Sequence, residues 1–457
     1  MPTQFQTRNP FTNEVTQEFS TLDAPAAEAL LSRAHESFLL WRQTSPIERV
    51  KLYSTFGEVL GEHKDQLARL ITSEMGKPLG QAYAEIDLIA EIMHYYQAHG
   101  QSMLAADSLQ VPGFSEVRVS REPIGVVLGI EPWNAPMYQA IRTAAPNLML
   151  GNTVIIKPAE QCAGSTLLLE KIFRDTGFPD YVFQTGLLGH DHIAQYIADH
   201  RVRAVGFTGS DRTGSRIGEM AGQAVKPVVL ELGGSDAFLV LDSADAVKAA
   251  ATASSIRLFI GGQVCTSPKR MIVTDKVADE FIAEVSKAFQ QQVIGDPLDP
   301  ATTVGPLCSV AAADAVQAQL QDAIDKGATV IVNGGQLEPG SALFRPAVIT
   351  DITPSMRVYS EEVFGPIASV FRVPDAAAAI ELANDTDYGL AATVFAEDLA
   401  EAKATAQQLE TGMVGINAFL GGPVEIPFGG TKSSGVGREL GPQGMDAFAN
   451  IKTYGQA

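Results

Sequence analysis

Ile124-Gly125-Val126-Val127-Leu128-Gly129-Ile130-Glu131-Pro132-Trp133-Asn134-Ala135-Pro136 decides how this chain folds. The run from Ile124 to Ile130 is continuously apolar, as expected of a strand buried on both faces of a parallel sheet. It stops at a rigid, proline-bounded turn that carries one amide side chain, Asn134. A helical stretch from Met137 to Leu150 follows, then a second buried strand, Thr153-Val154-Ile155-Ile156, ending at Lys157-Pro158-Ala159-Glu160. The next helix leads to Tyr181-Val182-Phe183-Gln184. Another leads to Ala204-Val205-Gly206-Phe207 and then Thr208-Gly209-Ser210. Val228-Val229-Leu230 adds one more strand, ending at Glu231-Leu232-Gly233-Gly234. Strand and helix alternate, so the fold class is α/β with a doubly wound parallel sheet. The polar motifs fall at the C-terminal ends of the strands, where ligands bind in open α/β sheets.

Outward from this core, residues 1–20 read as short strands and turns around Asn9-Pro10 and Thr12-Asn13. Leu30, Ala34, Phe38 and Trp41 recur at spacings of three and four, which predicts an amphipathic helix over Pro25 to Trp41. Two more helices are predicted over Pro46–Leu60 and Lys64–Met75, closed by Gly76-Lys77-Pro78, and a longer one over Gln81–Ala105. Glu116 to Arg121 alternates like a strand with one polar face. Beyond Gly233, helices and strands alternate again, which predicts a second α/β domain. The segment Pro427 to Gly435 is rich in glycine and serine, yet structured sequence flanks it, so a folded-over loop is expected.

Composition narrows the function. The 457 residues, 46% apolar and 19% charged, describe an ordinary globular chain of two or three domains. A net charge of −20 argues against nucleic acid or an anionic membrane as partner. No apolar run approaches the roughly 20 residues needed to span a bilayer. The start, MPTQFQTRNPF, has no basic region followed by an apolar run, so no signal peptide and a cytoplasmic location are expected. Three cysteines, Cys162, Cys265 and Cys308, are too few and too scattered for a disulfide framework or a metal cage.

Cys265 nevertheless stands out. It lies in Gly261-Gly262-Gln263-Val264-Cys265-Thr266-Ser267-Pro268-Lys269-Arg270, between small residues and just before two bases. A thiol is a useful nucleophile only as thiolate, and nearby positive charge favours that form. The alternative is a buried structural thiol. Asn134, Lys157 and Glu231 likewise stand at strand ends, where they also read as a turn former, a solvated charge and a helix start. Together the four read as oxyanion donor, cofactor anchor, general base and nucleophile.

The motifs PWNAP (132–136), KPAE (157–160), FTGS (207–210), LELGGSD (230–236), GQVC (262–265), EEVFGP (361–366) and PFGGTKSSGVGRE (427–439) follow one another in this order over nearly the whole chain. In this the sequence resembles the aldehyde dehydrogenase superfamily, and its wording is most similar to the shorter bacterial succinate-semialdehyde dehydrogenases. The resemblance implies a Rossmann-like cofactor domain (1–109 and 122–232), a catalytic domain (233–430) and a β bridging arm (110–121 and 431–457). It implies pairing through such arms, as a homodimer or a higher homo-oligomer. Cys265 would attack the aldehyde carbon, and Asn134 with the Cys265 backbone N–H would hold the oxyanion. After hydride transfer to the nicotinamide, Glu231 would activate the water that hydrolyses the thioester. Trp133, Lys157, Glu160, Gly209, Ser210, Leu232, Glu362 and Phe364 match cofactor-binding positions. A carboxylate at Glu160 would repel a 2′-phosphate, so NAD is expected in preference to NADP. Glu439 matches a family glutamate implicated in proton relay, or forms an ion pair with Arg438.

Departures from the family pattern bear on the substrate. Ala135 stands where a phenylalanine is usual, which widens or reshapes the channel. Phe259 occupies a position held by arginine in longer semialdehyde dehydrogenases, and the nearest arginine, Arg257, is a candidate to bind the substrate carboxylate in its place. A serine such enzymes use just before the PFGG motif is missing, since 421–423 read Gly-Gly-Pro. Arg142 matches an arginine that clamps a substrate carboxylate, or it forms a buried ion pair. The expected activity is oxidation of succinate semialdehyde or a similar carboxylate-bearing aldehyde. A broad-specificity or CoA-acylating enzyme, or a non-catalytic dinucleotide-binding protein, is the alternative.

Overall fold

The computed structural model describes residues 4–457. A hairpin of β1 (Gln4–Arg8) and β2 (Val15–Ser20) precedes three helices: α1 (Ala24–Trp41), α2 (Pro46–Met75) and α3 (Leu79–Met103). Asp23 caps α1 by accepting from the Ala26 N–H, and Pro25 sits in its first turn. The buried face of α1 is Ala27, Leu31, Ala34, Phe38 and Trp41, so Leu30 falls at its border. The two helices expected over 46–60 and 64–75 are one. Ser45 and Glu48 form a reciprocal capping box at its start, and Gly76 ends it at φ 82°. A Cβ at Gly61 would meet open space, and without crowding or positive φ that glycine does not break the helix. Among the described residues no helix is long and apolar enough to cross a membrane.

After β3 (Asp107–Leu109) and β4 (Glu116–Pro123) come β5 (Val126–Ile130), α4 (Pro136–Leu150), β6 (Thr153–Lys157), α5 (Ala163–Thr176) and β7 (Phe183–Thr185). Then follow α6 (His190–Ala198), β8 (Val202–Thr208), α7 (Asp211–Gln223) and β9 (Val228–Glu231). Strands β9-β8-β5-β6-β7 form a parallel sheet in that order. The chain leaves β5 toward β6 and β7, then returns to the other side of β5 as β8 and β9. This reversal puts a crevice at the C-terminal ends of β5 and β8. Every residue of β5 and of α4 is buried, which is why the run 124–150 carries so little polarity.

A second sheet is built from β10 (Ala237–Val240), β11 (Arg270–Thr274), β12 (Thr329–Val332), β13 (Ala347–Thr350), β14 (Ile367–Val373), β15 (Ala391–Phe395) and β16 (Met413–Ile416). Their order is β12-β13-β14-β11-β10-β15-β16, with only β12 antiparallel. The C-terminal segment does not lie wholly in an arm. Gly435 and Val436 pair antiparallel with Glu231 and Leu230, adding an edge to the first sheet. Only β17 (Ala449–Gln456) reaches β4, which it meets over its full length while β3 takes the other edge. Gly435 allows that return: its φ is 143°, and a Cβ there would lie 1.9 Å from the Leu230 carbonyl oxygen.

Candidate active site

The turn after β5 and the loop before β11 meet at the crevice. Residues Phe259–Gly262 form a short 3-10 turn in which Ile260, Gly261 and Gly262 are successively left-handed, at φ 51°, 59° and 77°. Such a run is costly, most of all at the β-branched Ile260, and persists only where neighbours hold it. Here the Ile260 N–H donates to Gln81 Oε1 at 2.9 Å, and Gln263 Nε2 donates to the Ile260 carbonyl at 3.0 Å. At Gly262 a Cβ would come within 2.4 Å of the Gly365 carbonyl oxygen. The reversal delivers Cys265 to a cavity of about 360 Å³ whose wall also includes Asn134, Ala135, Tyr138, Arg142 and Phe428. Phe259 stands on the same wall and is 40% exposed. Asn134 is buried and donates Nδ2–H to the Gln263 carbonyl at 3.0 Å, which orients its amide beside the Cys265 loop.

Charge in this site departs from the sequence reading. Lys269 and Arg270 do not bring free positive charge to the sulfur. Lys269 Nζ donates to the carbonyls of Val264 and Cys265 and pairs with Glu362 at 3.0 Å. Arg270 donates to the carbonyls of Ser235, Leu382 and Ala383. Burial therefore wins at Cys265: its pKa is pushed up to about 11, with Lys269 and Arg142 only partly opposing. At neutral pH the group is therefore a thiol rather than a thiolate. Glu231 is held well above the usual carboxylate range, first by burial, with Arg142 opposing and Glu439 adding to the rise. Both its oxygens lack a hydrogen-bond partner. It is not on the cavity wall but packs on Gly429, where a Cβ would lie 2.5 Å from its Oε1.

Arg142 links these groups. Its guanidinium lies over the rings of Phe428 and Tyr138, at 4.4 and 5.1 Å from the centroids. Its Nε pairs with Glu439, and Nη2 donates to Thr208 Oγ1 at 3.3 Å. Nη1 has no partner. Burial opposes its charge, yet Glu439, Tyr138, Glu231 and Cys265 outweigh it, and its pKa is raised. Glu439 therefore pairs with Arg142 rather than Arg438, which donates to the carbonyls of Gly430 and Gly437.

The expected cofactor residues surround the crevice. Lys157 ends β6, half-buried, with its ammonium 5.3 Å from the Phe5 ring centroid; burial lowers its pKa while Glu160 works the other way. Glu160 is exposed two residues beyond Pro158. Gly209 and Ser210 follow β8, and the Ser210 hydroxyl caps α7 through the Thr213 N–H. That helix start points backbone N–H groups outward, as phosphate requires. Trp133 and Phe364 meet edge to face at 5.7 Å. Glu362 Oε1 accepts from the Gly234 N–H at 3.1 Å, and Leu232 is buried beside Gly214. An N-capped helix start, a part-buried ammonium and a strand-order reversal at one crevice fit a dinucleotide.

Arg257 requires correction. It is fully buried and donates to the carbonyls of Ile367, Gly262 and Val363 and to Ser267 Oγ, away from the cavity. It braces the Cys265 loop and does not face the cavity, so the contact expected of it with a substrate carboxylate is not made. Sequence reading also missed Lys77 and Glu85, a buried ion pair on the cavity wall. Glu85 Oε1 accepts from the Met137 and Tyr138 N–H groups at the start of α4. Lys77 read only as part of a helix stop, and nothing in the spacing of 77 and 85 points to α4.

Comparison with known proteins agrees with this architecture. The model of the aldehyde dehydrogenase family matches residues 1–454. A protein of Deinococcus radiodurans named succinate-semialdehyde dehydrogenase [NADP(+)] is 46% identical over 451 residues, 98% of this chain and 94% of that protein. A succinic semialdehyde dehydrogenase from Streptococcus pyogenes, solved in complex with NADP+, superposes with a TM-score of 0.95 at 37% identity, covering 98% of this chain and 99% of that one. Betaine aldehyde dehydrogenase from Staphylococcus aureus, solved with NAD+, superposes with a TM-score of 0.93 at 31% identity, covering 99% and 91%. This chain belongs to the aldehyde dehydrogenase family.

Proposed function

We propose that the protein oxidises succinate semialdehyde, or a closely similar aldehyde with a distal carboxylate, to the acid, using NADP. The observation that carries this is the meeting of a thiol, an amide donor and an arginine with a free Nη1 on one cavity wall. The Cys265 thiol gives its proton to solvent water, Sγ bonds to the aldehyde carbon, and the Asn134 side-chain amide with the Cys265 N–H steadies the oxygen as it gains charge. A nicotinamide dinucleotide bound along Lys157, Ser210 and Glu362 supplies the hydride acceptor. The acyl group left on sulfur is hydrolysed by water, with Glu231 as base. That base argues against a CoA-acylating reaction, since a thiol acceptor needs no carboxylate there. The relatives named for this substrate support the reading. They do not support the preference for NAD drawn from Glu160, because they are named for NADP. The free thiols and the open edges of β17 and β3 suit a cytoplasmic homodimer.

The test is reduced-dinucleotide formation with succinate semialdehyde and with butyraldehyde, comparing wild type with Arg142→Leu. Arg142 Nη1 grips the distal carboxylate, a charge-assisted contact worth roughly 1.5–3 kcal/mol. Wild type is expected to prefer the charged aldehyde, and Arg142→Leu to lose about tenfold or more in kcat/KM on it beyond any loss on butyraldehyde. Equal loss on both would reduce Arg142 to a partner of Glu439. On the cofactor side, wild type turns over with NADP, and Glu160→Gln raises the NADP to NAD ratio of kcat/KM by about tenfold, the worth of one charge contact of ~1.4 kcal/mol. An unchanged ratio would place Glu160 away from the ribose.

A further inference from the structure

Glu131 has no part in the reading above, yet it is a 4% exposed carboxyl at the centre of the site. Strand register puts it there. Ile130 lies beside Phe207 and Thr208 beside Glu231, so Glu131, Thr208 and Glu231 stand in a row across the ends of three neighbouring strands. From α4, Thr143 Oγ1 lies 2.7 Å from Glu131 Oε1 and 3.2 Å from Glu439 Oε1. A hydroxyl has one hydrogen and cannot donate to two carboxylates. One of the two carboxyls is therefore protonated and donates to Thr143. Of the two, Glu439 is the one that pairs with a guanidinium, that of Arg142.

Glu131 has no such ion pair, and its Oε2 has no hydrogen-bond partner. The groups facing it are Glu439 from the C-terminal segment, Arg142 and Thr143 from α4, and Thr208 from β8. Burial first, then the Glu439 charge, push its pKa up to about 8, against Thr143, Arg142 and Thr208. Glu439 also raises Glu231, so these two carboxyls sense one another.

We propose that Glu131 is a neutral acid that forms the outer station of a proton relay, Glu231–Glu439–Thr143–Glu131, which empties the base after each thioester hydrolysis. The proposal rests on the hydrolytic reading above. In that step a water O–H bond breaks toward Glu231, the water oxygen bonds to the acyl carbon, and the carbon–sulfur bond breaks to leave carboxylic acid and a thiolate, which takes back from solvent the proton it lost on attack. The proton on Glu231 passes to Glu439. Glu439 then gives a proton to Thr143 Oγ1 while Thr143 gives its own to Glu131. Glu131 has by then released its earlier proton to solvent past the half-buried Thr208. One proton leaves per turnover, and no electrons move. Glu131 touches neither substrate nor sulfur, so it acts through Glu439 as a positioning and relay residue.

Glu131→Gln keeps the volume and an N–H for Thr143 but cannot pass a proton. The hydrolysis rate of acyl-Cys265, followed by acid quench and intact mass, is expected to fall about tenfold, at the low end of acid–base effects. The burst of reduced dinucleotide is expected to keep its amplitude, KM to stay within about twofold, and the limb of the kcat–pH profile near pH 8 to disappear. Thr143→Val is expected to act alike, and Thr143→Ser to restore hydrolysis to within about threefold of wild type. In the protein without substrate or dinucleotide, infrared difference spectra are expected to show a buried carboxylic-acid band that titrates near pH 8 and is absent from Glu131→Gln. Wild-type hydrolysis and an unchanged pH profile in Glu131→Gln and Thr143→Val would overturn the relay, as would a missing infrared band. A wild type that oxidises no aldehyde would instead overturn the hydrolytic reading, with the infrared band still reporting on Glu131.

Discussion

Cys265→Ala is expected to lower kcat by about 10⁴-fold or more, while dinucleotide affinity stays within about twofold of wild type. Removing the nucleophile of a site that works as a unit forfeits nearly all the chemistry, because base and oxyanion donors have nothing left to assist. Binding is expected to survive because the positions proposed for the dinucleotide, Lys157, Ser210 and Glu362, lie on other elements: β6, the start of α7 and the segment before β14. Titration by intrinsic fluorescence alongside steady-state turnover separates the two quantities. Alanine at Cys162, buried behind Trp133, or at Cys308, beside Ser309, leaves activity in place at a modest cost in stability. Full turnover by Cys265→Ala would remove the thiol from the mechanism. The thiol's pKa of about 11 adds a pH expectation. The acylation rate of the free enzyme should rise with pH toward that value, because the sulfur is protonated at neutrality and each unit of pH below the pKa lowers the thiolate fraction about tenfold.

Glu231→Gln is expected to reduce steady-state turnover by about 10²–10⁴-fold while one equivalent of reduced dinucleotide still appears per site in a rapid burst. The amide matches the carboxyl in size, so the packing against Gly429 is kept and only the base is lost. Acyl-Cys265 then accumulates, and intact mass would show it as an adduct of the acyl residue. Loss of the burst together with turnover would mean that Glu231 serves the thiol before it serves water. Both oxygens of Glu231 lack partners while its pKa is raised by burial and by Glu439. Such a carboxyl holds a proton more readily than a solvated one, as the hydrolytic step asks.

Sequence by itself determined the layers and which polar side chains gather at the crevice. Apolar runs at 124–130 and 153–156, alternating with helical stretches, read as strands covered on both faces, so a parallel sheet follows and its C-terminal ends are where polar motifs gather. That reasoning located Asn134, Lys157, Glu231 and Cys265 without a coordinate, because each is tied to the end of a strand or to a glycine turn. What tertiary structure decided was the direction of the charges. Lys269 and Arg270 adjoin the nucleophile in sequence, but one turns to backbone carbonyls and Glu362 and the other to the end of a distant helix. Arg257, two residues from Phe259, points away from the cavity altogether. Arg142 finds Glu439 from 297 positions along the chain, and Lys77 with Glu85 reaches the start of α4. Spacing along a chain constrains which face of an element a side chain occupies. It says nothing of which distant carboxylate or carbonyl will be there to meet it, and for a buried charge that partner decides whether the group binds, braces or moves a proton.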